Sequence, residues 1–144
     1  YNKMKKILII NANYYDEITK ELVISSKNLF KKKKFKLSIL RVPGIFEIPV
    51  AIRKNIKNFD AFIALGCVIK GNTPHFDLIC KSTFENILKL SIDYNKPIGN
   101  GIITAFNLRQ ARERSGLIKS NKANKGLEAA KAVLSILNNE PKKI

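Results

Sequence analysis

The chain has 144 residues, with 27 Lys and Arg against 11 Asp and Glu, which gives a formal net charge of +16 at pH 7. This length predicts a single domain over residues 1–144, large enough to bury a substantial core. The longest apolar stretch falls far short of the ~20 residues of a membrane span, and no signal-peptide pattern opens the chain. We therefore expect a cytoplasmic protein with no membrane partner and with loose termini at residues 1–5 and 140–144.

The basic composition raises the question of nucleic-acid binding, because non-specific affinity for phosphates requires a basic surface. A compositional bias toward Lys, Asn and Ile would raise the charge equally well, and the chain has no RNA-binding fingerprint or interleaved basic and aromatic stripe. The lysine run at residues 31–34 ends the first predicted helix, where cations oppose the helix dipole. We predict no dedicated nucleic-acid function, and only weak, sequence-independent binding of polyanions.

Cys67 and Cys80 are the two cysteines, and they lack the spacing of a metal-ligand set. Cys67 lies on or just after a predicted buried strand and Cys80 on a predicted helix. We expect both to be reduced, partly buried thiols.

Four apolar runs predict strands, and they alternate with segments of helical periodicity. Residues 61–69 form a nearly unbroken apolar run, which is typical of a strand buried on both faces. The predicted strands cover residues 6–10, 35–40, 61–69 and 97–104. Between them, apolar or small residues recur at helical spacing in three sets: Ile18, Leu22, Ser25 and Leu29; Ile48, Ala51, Ile52 and Ile56; Ile79, Thr83, Ile87 and Leu90.

Two further helices follow the last predicted strand. Asn107 and Gln110 have the spacing of a capping-box variant that opens a helix over residues 108–114. Asn124 can cap a final helix. Its apolar stripe would consist of Leu127, Ala130, Leu134 and Leu137.

This alternation predicts an α/β fold, a flavodoxin-like three-layer sandwich in which helices flank a four-stranded parallel sheet. In such sheets ligands bind beyond the carboxyl ends of the strands. Four polar or glycine-bearing segments follow the predicted strands and should meet at this edge. They are residues 13–15, 42–47, 71–75 and 104–114.

The loop over residues 66–77 contains the single histidine of the chain. Thr73 is a good N-cap and Pro74 a good first helical residue, which predicts a helix from Pro74 to about residue 90. His75 would then lie in a first helical turn, where free N–H groups attract phosphate or carboxylate. Because an imidazole exchanges protons near neutral pH, the loop suggests proton transfer on an anionic substrate. The alternative is a helix-start histidine that packs or faces solvent.

Four other residues each have a functional and a structural interpretation. Glu47 could accept a hydroxyl or amine hydrogen bond in a pocket, or stabilise the first turn of a helix. Arg114 could clamp a phosphate with its planar fork, or serve as a solvated cation at a helix end. Tyr14 could stack on a planar ring or cover the sheet edge, and Lys125 could bind substrate or simply lie on the surface.

Taken together, four motifs resemble the 6,7-dimethyl-8-ribityllumazine synthase family in identity, order and approximate spacing. The resemblance extends over residues 6–137, and its two central motifs are long. The motifs are VPGIFEIP at residues 42–49, GCVIKGNTPHFD at 66–77, QARER at 110–114 and NKGLEAA at 124–130.

The resemblance implies the penultimate step of riboflavin biosynthesis. In this step 5-amino-6-(ribitylamino)uracil condenses with 3,4-dihydroxy-2-butanone 4-phosphate, without a metal or organic cofactor. Imine formation at the ketone, loss of phosphate, ring closure and loss of water would give the lumazine.

The resemblance also implies roles for individual residues. His75 matches the family's proton-transfer histidine. The phosphate-binding residues would be Gly71, Asn72, Thr73 and Arg114. The residues around the pyrimidine and ribityl groups would be Tyr14, Ile45, Phe46, Glu47, Val68, Ile69, Lys70, Asn100 and Lys125.

The family places its sites between adjacent subunits of a homopentamer, and some members assemble further into decamers or sixty-subunit shells. Riboflavin synthase is an implied partner. Two features of this chain depart from the pattern. Asn100 stands where many members have a phenylalanine from the neighbouring subunit, and residues 115–123 are about three residues longer than usual, which bears on the position of Lys125.

Overall fold

The computed structural model describes residues 4–144, in which four parallel strands form one sheet with the order β2-β1-β3-β4. The strands are β1 (Lys5–Ala12), β2 (Phe35–Val42), β3 (Ala61–Ile69) and β4 (Ile98–Ala105). In the central pairings, Ile9 of β1 lies opposite Ile39 of β2 and Ile63 of β3. The predicted α/β fold with a four-stranded parallel sheet is confirmed.

Five α-helices cover the two faces of the sheet. They are α1 (Asp16–Phe30), α2 (Ile48–Lys54), α3 (His75–Tyr94), α4 (Leu108–Ser115) and α5 (Lys125–Asn138), and a 3₁₀ turn over Ile45–Glu47 leads into α2. α1, α4 and α5 pack on one face, whereas α2 and α3 pack on the other. None of the helices in the described residues 4–144 has the length and apolar character needed to span a membrane.

The core lies on both faces of β3, whose first seven residues are all buried. On the face covered by α1 and α5, Ile63 and Leu65 pack with side chains such as Leu22. On the other face, Phe62 packs with Ile48 and neighbouring side chains. Burial on both sides explains why the strand is an unbroken apolar run.

The ends of several elements differ from the prediction. Lys5 already pairs with Phe35 in β1, so the expectation of a loose start was wrong at this residue, and Tyr1, Asn2 and Lys3 lie outside the described residues. α1 ends at Phe30, and only Lys31 of the lysine run caps it. α3 continues past residue 90 to Tyr94, because the left-handed Asn95 (φ 54°) is what ends it.

Parts of the buried stripes of α1 and α5 are displaced by one residue from the predicted ones, whereas Ile18, Leu22 and Ala130 are buried as predicted. Ser26 and Phe30 are buried in α1 in place of Ser25 and Leu29. In α5 the buried residues are small, because the helix lies close to α1 and β4. They are Gly126, Ala129, Ala130 and Val133, whereas Leu127, Leu134 and Leu137 are half-buried at its margins.

Candidate active site

The four segments predicted to meet at the carboxyl edge of the sheet follow the carboxyl ends of its four strands. The ladder between β3 and β4 continues one residue beyond the strands, where the Lys70 N–H donates to the Ala105 carbonyl at 2.9 Å. The Asn13 N–H donates to the Val42 carbonyl at 3.0 Å, joining the ends of β1 and β2. Backbone hydrogen bonds therefore connect the starts of the site loops.

His75 is the first residue of α3 and is exposed, directly after the exposed loop over residues 71–74. The prediction that Thr73 caps this helix was wrong. Pro74 occupies the N-cap position (φ −70°, ψ 0°), and no side chain caps the helix within the described part of the chain. The Leu78 N–H bonds to the Pro74 carbonyl at 3.1 Å. The remaining first-turn N–H groups are left without side-chain partners and can attract an anion.

A cleft of about 490 Å³ opens beside His75. We call it the histidine cleft, and its lining residues come from α3 and from the 3₁₀ turn before α2. They are Phe46, His75, Leu78, Ile79 and Ser82. Leu78 and Ser82 were not predicted as site residues, although their positions three and seven residues after His75 place them on the same helix face.

A second cleft of about 390 Å³, which we call the adjoining cleft, shares Phe46 and Ser82 with the first. It lies between α2 and α3, and its polar members include Glu47, Thr83 and Asn86. The Thr83 hydroxyl is buried and has no hydrogen-bond partner among the described residues. A buried hydroxyl in this state can satisfy a polar ligand group.

The 3₁₀ turn is held against β3 by a close approach. Ile45 is buried, and a Cβ added at Gly66 would lie 2.7 Å from the Ile45 Cγ2 atom, so only glycine permits this approach. With Ile45 anchored in the core, Phe46 points outward and is 63% exposed. The Ile45 side chain itself is therefore remote from solvent, in contrast to the Phe46 ring.

Glu47 stabilises the 3₁₀ turn that precedes α2, not the first turn of α2 as its structural interpretation expected, and it also lines the adjoining cleft. Its Oε1 atom accepts the Gly44 N–H at 3.0 Å, which fixes the start of the turn. The carboxylate is half-buried, and its residue lines the cleft together with Asn86. Because a carboxylate has about four acceptor positions, this single bond leaves it able to accept others.

At the ends of β1 and β3, further predicted residues reach the same edge. Tyr14 is 76% exposed and contacts the Tyr15 ring edge-on, with 5.0 Å between ring centroids. Val68 and Ile69 are half-buried at the end of β3, and Lys70 is exposed. The ammonium group of Lys70 lies 5.6 Å from the centroid of the Phe106 ring, an exposed aromatic group that was not predicted as a site residue.

Arg114 is exposed on α4, which packs on the opposite face of the sheet from α3. Asn107 Oδ1 accepts the Gln110 N–H, so the predicted N-cap of α4 is present. The return bond differs from a capping box, because Gln110 Oε1 accepts the N–H of Phe106 and not that of Asn107. Arg112 pairs with Glu17 near the start of α1, at 3.1 Å. α4 thus stays near the carboxyl edge, but a single chain places Arg114 across the sheet from His75.

Lys125 and Asn100 also lie apart from His75. Lys125 is the first residue of α5, next to Gly126, which contacts Leu22 in the middle of α1. Asn124 caps α5 by accepting the Leu127 N–H, as predicted. Asn100 lies within β4 opposite Ala64, about 17 Å along the strand from its carboxyl end. Neither residue joins the histidine cleft of its own chain.

Both cysteines are free, and both are buried, which is more than the partial burial that was predicted. Burial raises the pKa of the Cys67 thiol from its ordinary 9.0 to about 12. Burial, and then the nearby Asp77, raise the pKa of Cys80 as well. Within residues 4–144, no three His, Cys, Asp or Glu side chains form a group that could hold a metal ion.

Comparisons with known proteins identify the family to which the chain belongs. The family model for 6,7-dimethyl-8-ribityllumazine synthase matches residues 4–140. A 6,7-dimethyl-8-ribityllumazine synthase of Campylobacter jejuni subsp. doylei is 42% identical over 138 residues, which are 92% of this chain and 88% of the relative. That of Campylobacter curvus is 40% identical over 93% of this chain and 87% of its own length. The chain belongs to the 6,7-dimethyl-8-ribityllumazine synthase family.

Proposed function

We propose that the protein condenses 5-amino-6-(D-ribitylamino)uracil with 3,4-dihydroxy-2-butanone 4-phosphate to give 6,7-dimethyl-8-ribityllumazine, the penultimate step of riboflavin biosynthesis. The observation that carries this proposal is the position of His75. It stands at the start of α3, between an uncapped helix N-terminus and the histidine cleft. A proton-transfer group and an anion-attracting backbone therefore lie together at the edge where α/β sheets bind ligands.

The first-turn N–H groups of α3 and the loop residues Gly71, Asn72 and Thr73 would receive the phosphate of the four-carbon substrate. Exposure of this loop leaves its backbone available to a dianion. His75 would then move protons as the imine forms and phosphate leaves, which is work suited to an imidazole near neutral pH. No metal or organic cofactor enters the proposed reaction.

The pyrimidine substrate would occupy the two clefts. The exposed faces of Phe46 and Tyr14 suit a flat heterocycle, and Val68, Ile69 and Lys70 would line its edge through their backbone. The hydroxyl-rich ribityl chain would extend into the adjoining cleft. The polar groups within its largely apolar lining support this placement, since Glu47 has free acceptor positions and the buried Thr83 hydroxyl has no protein partner among the described residues.

Arg114 and Lys125 would complete the site from a second copy of the chain. In one chain α4 and α5 lie on the face of the sheet opposite α3, so these cations do not join its own histidine cleft. A ring of subunits related by one rotation presents two different surfaces to each other at every interface. Such an interface can bring Arg114 and Lys125 of one subunit to His75 of the next.

We infer that this ring is a homopentamer, as the family resemblance implies. The outer surfaces of α2, α3 and the 3₁₀ turn support burial against another copy, because they expose large apolar side chains in the histidine cleft and further along α3. These are Phe46, Val50, Leu78, Leu88 and Ile92, each at least 59% exposed. We also propose a cytoplasmic location and association with riboflavin synthase. The resemblance implies that such pentamers can assemble further into decamers or sixty-subunit shells, and no feature of the sequence selects between these forms.

The test is lumazine formation by the purified protein. The two substrates are mixed with and without protein, and absorbance of the lumazine is followed after the spontaneous reaction has been subtracted. The expected result is a rate proportional to protein concentration that requires both substrates. Light scattering on the same sample should give the mass of five chains or a multiple of it. A rate equal to the spontaneous background would refute the proposed function.

A further inference from the structure

The amino ends of the strands, opposite the candidate site, form a strongly basic surface. In a parallel sheet the loops that lead from helices into strands all return to this edge. Ten lysines of the described residues 4–144 lie here, in those loops, at the end of α2 and in the first residues of β1 and β2. We call them the amino-edge surface: Lys5, Lys6, Lys31, Lys32, Lys33, Lys34, Lys36, Lys54, Lys57 and Lys96.

Few carboxylates balance this charge. Asp60 and Asp93 lie at the same edge in the described residues before the final segment. The Asp60 Oδ2 atom accepts the backbone N–H of Lys6 at 2.8 Å, and Asp93 pairs with Lys89 on α3 at 2.9 Å. Neither carboxylate pairs with a side chain of the amino-edge surface in the described part of the chain. The surface therefore keeps a large net positive charge.

Stabilisation of helix C-termini explains the position of some of these lysines, but not of most of them. Helix C-termini point to this edge, and their carbonyls favour nearby cations. Lys96 has such a structural role, because its ammonium group donates to the Ile56 carbonyl and, at 2.8 Å, to that of Phe59. Lys5, Lys36, Lys57 and residues 31–34 are exposed, and none of them belongs to an ion pair among residues 4–144.

A shallow cavity of about 480 Å³ lies within this surface. Most of its lining is polar or charged, and the ammonium group of Lys6 lies 5.2 Å from the centroid of the half-buried Phe59 ring. Because Phe59 is partly covered, it offers little face for a nucleobase to stack on. Among the described residues that line the cavity, Met4 is the only exposed large apolar one, which gives a lipid bilayer a poor anchor.

Although the sequence has no RNA-binding fingerprint, the clustering of these lysines at one edge leads us beyond the expectation from composition, and we propose that the amino-edge surface is a docking site for nucleic acid, which it holds through the phosphate backbone without regard to sequence. Lysine ammonium groups neutralise phosphates as point charges and release condensed counterions, and this suffices for such binding. β3 has nine residues, so the two edges of the sheet are separated by about 26 Å. At physiological salt this is about three Debye lengths, and the bound strand should leave catalysis unaffected.

The experiment measures binding of oligouridylate about 20 nucleotides long across a salt series. The test variant replaces the four lysines of residues 31–34 with glutamine. The matched control removes the same charge from other exposed positions, Lys20, Lys81, Lys119 and Lys131. Melting temperature and light scattering confirm that both variants fold and assemble like the wild type. Lumazine formation is followed for the wild type with and without saturating oligouridylate, and for the test variant.

The expected result is weaker binding by the test variant and a shallower slope of log affinity against log salt. The slope should fall by about 0.7 for each phosphate that the variant no longer neutralises. The control variant should lose much less affinity, and lumazine formation should not change in any arm. Equal losses in both variants would overturn the proposal, because the charge would then act diffusely. So would inhibition by oligouridylate competing with the butanone phosphate, or binding of anionic vesicles in preference to the oligonucleotide.

Discussion

Gly126 in α5 lies directly against the backbone of Leu22 in α1. A Cβ added at Gly126 would lie 2.5 Å from the Leu22 carbonyl oxygen and 3.0 Å from its Cα atom. The Ser26 hydroxyl strengthens the same junction by donating to the Gly126 carbonyl at 3.0 Å. The neighbouring atoms belong to the Leu22 backbone and cannot rotate away from an added side chain. The start of α5 can therefore pack this closely against α1 only because residue 126 is glycine.

Replacing Gly126 with Ala should therefore lower stability by about 1–3 kcal/mol, because α5 must move away from α1. The melting temperature measured by circular dichroism would report this loss. Gly71→Ala is the matched control for the fold, since a Cβ at Gly71 meets nothing within 4 Å. An unchanged melting temperature in Gly126→Ala would show that the two helices separate without cost.

Replacing His75 with Ala should lower turnover and leave the fold intact. General acid–base assistance contributes about 10²- to 10⁴-fold, and we expect the small end of this range because the condensation also proceeds slowly unaided. His75 is exposed and belongs to neither core cluster, so melting temperature and assembly mass should stay nearly constant. Turnover is measured with both substrates saturating. Wild-type turnover in this variant would contradict the proposed role.

Replacing Arg114 with Lys should raise the KM for the butanone phosphate by about ten- to a hundredfold, because a point charge cannot make the two-pronged hydrogen bond to phosphate. The KM for the pyrimidine should change little. Arg109→Lys, on the same helix and also exposed, is the control and should have no effect. Equal weakening toward both substrates would count against a phosphate-binding Arg114.

Cys67 should make stability decrease at alkaline pH. The folded protein keeps the Cys67 proton up to about pH 12, whereas an unfolded thiol with its ordinary pKa of 9.0 loses it earlier. The unfolded state therefore binds fewer protons between these values, and unfolding becomes easier as pH rises, by up to about 1.4 kcal/mol per pH unit. Below pH 9 the contribution is complete.

Denaturant unfolding at several pH values between 8 and 11 would measure this slope. Cys67→Ala should reduce it without abolishing it, because burial also raises the pKa of Tyr15 and of Cys80. If the Cys67→Ala protein kept the full wild-type slope, groups other than Cys67 would cause the loss of stability at alkaline pH.

The fold was predictable where the sequence pattern and the burial coincide. β3 begins and ends where predicted, because a strand buried on both faces must be apolar throughout. The end of α3 was not predictable from apolar spacing, since it depends on Asn95 adopting a left-handed conformation. The displacement of the buried residues of α5 depends on its packing against neighbouring elements, which apolar spacing does not show either. Gly126 and Ala129 become interior only because α1 and β4 approach them closely.

The candidate site was predictable only in part. Sequence order brings His75 and Phe46 to one edge, because both follow strands of a parallel sheet, and they line one cleft. The order of the motifs in the sequence could not show that α4 and α5 pack on the other face of the sheet. This packing separates Arg114 and Lys125 from the histidine cleft. Whether these residues form one site, and how many chains would be needed to join them, could not be read from the motifs.

If Arg114 of one subunit completes the site around His75 of the next, as proposed, two defective proteins should restore each other. Chains with His75→Ala still supply a sound Arg114, and chains with Arg114→Ala still supply a sound His75. If equal amounts are unfolded together and refolded, about one interface in four of a randomly mixed ring would receive both intact groups. Activity should therefore recover to about a quarter of the wild-type level in the mixed rings, but not when the variants are refolded separately and combined.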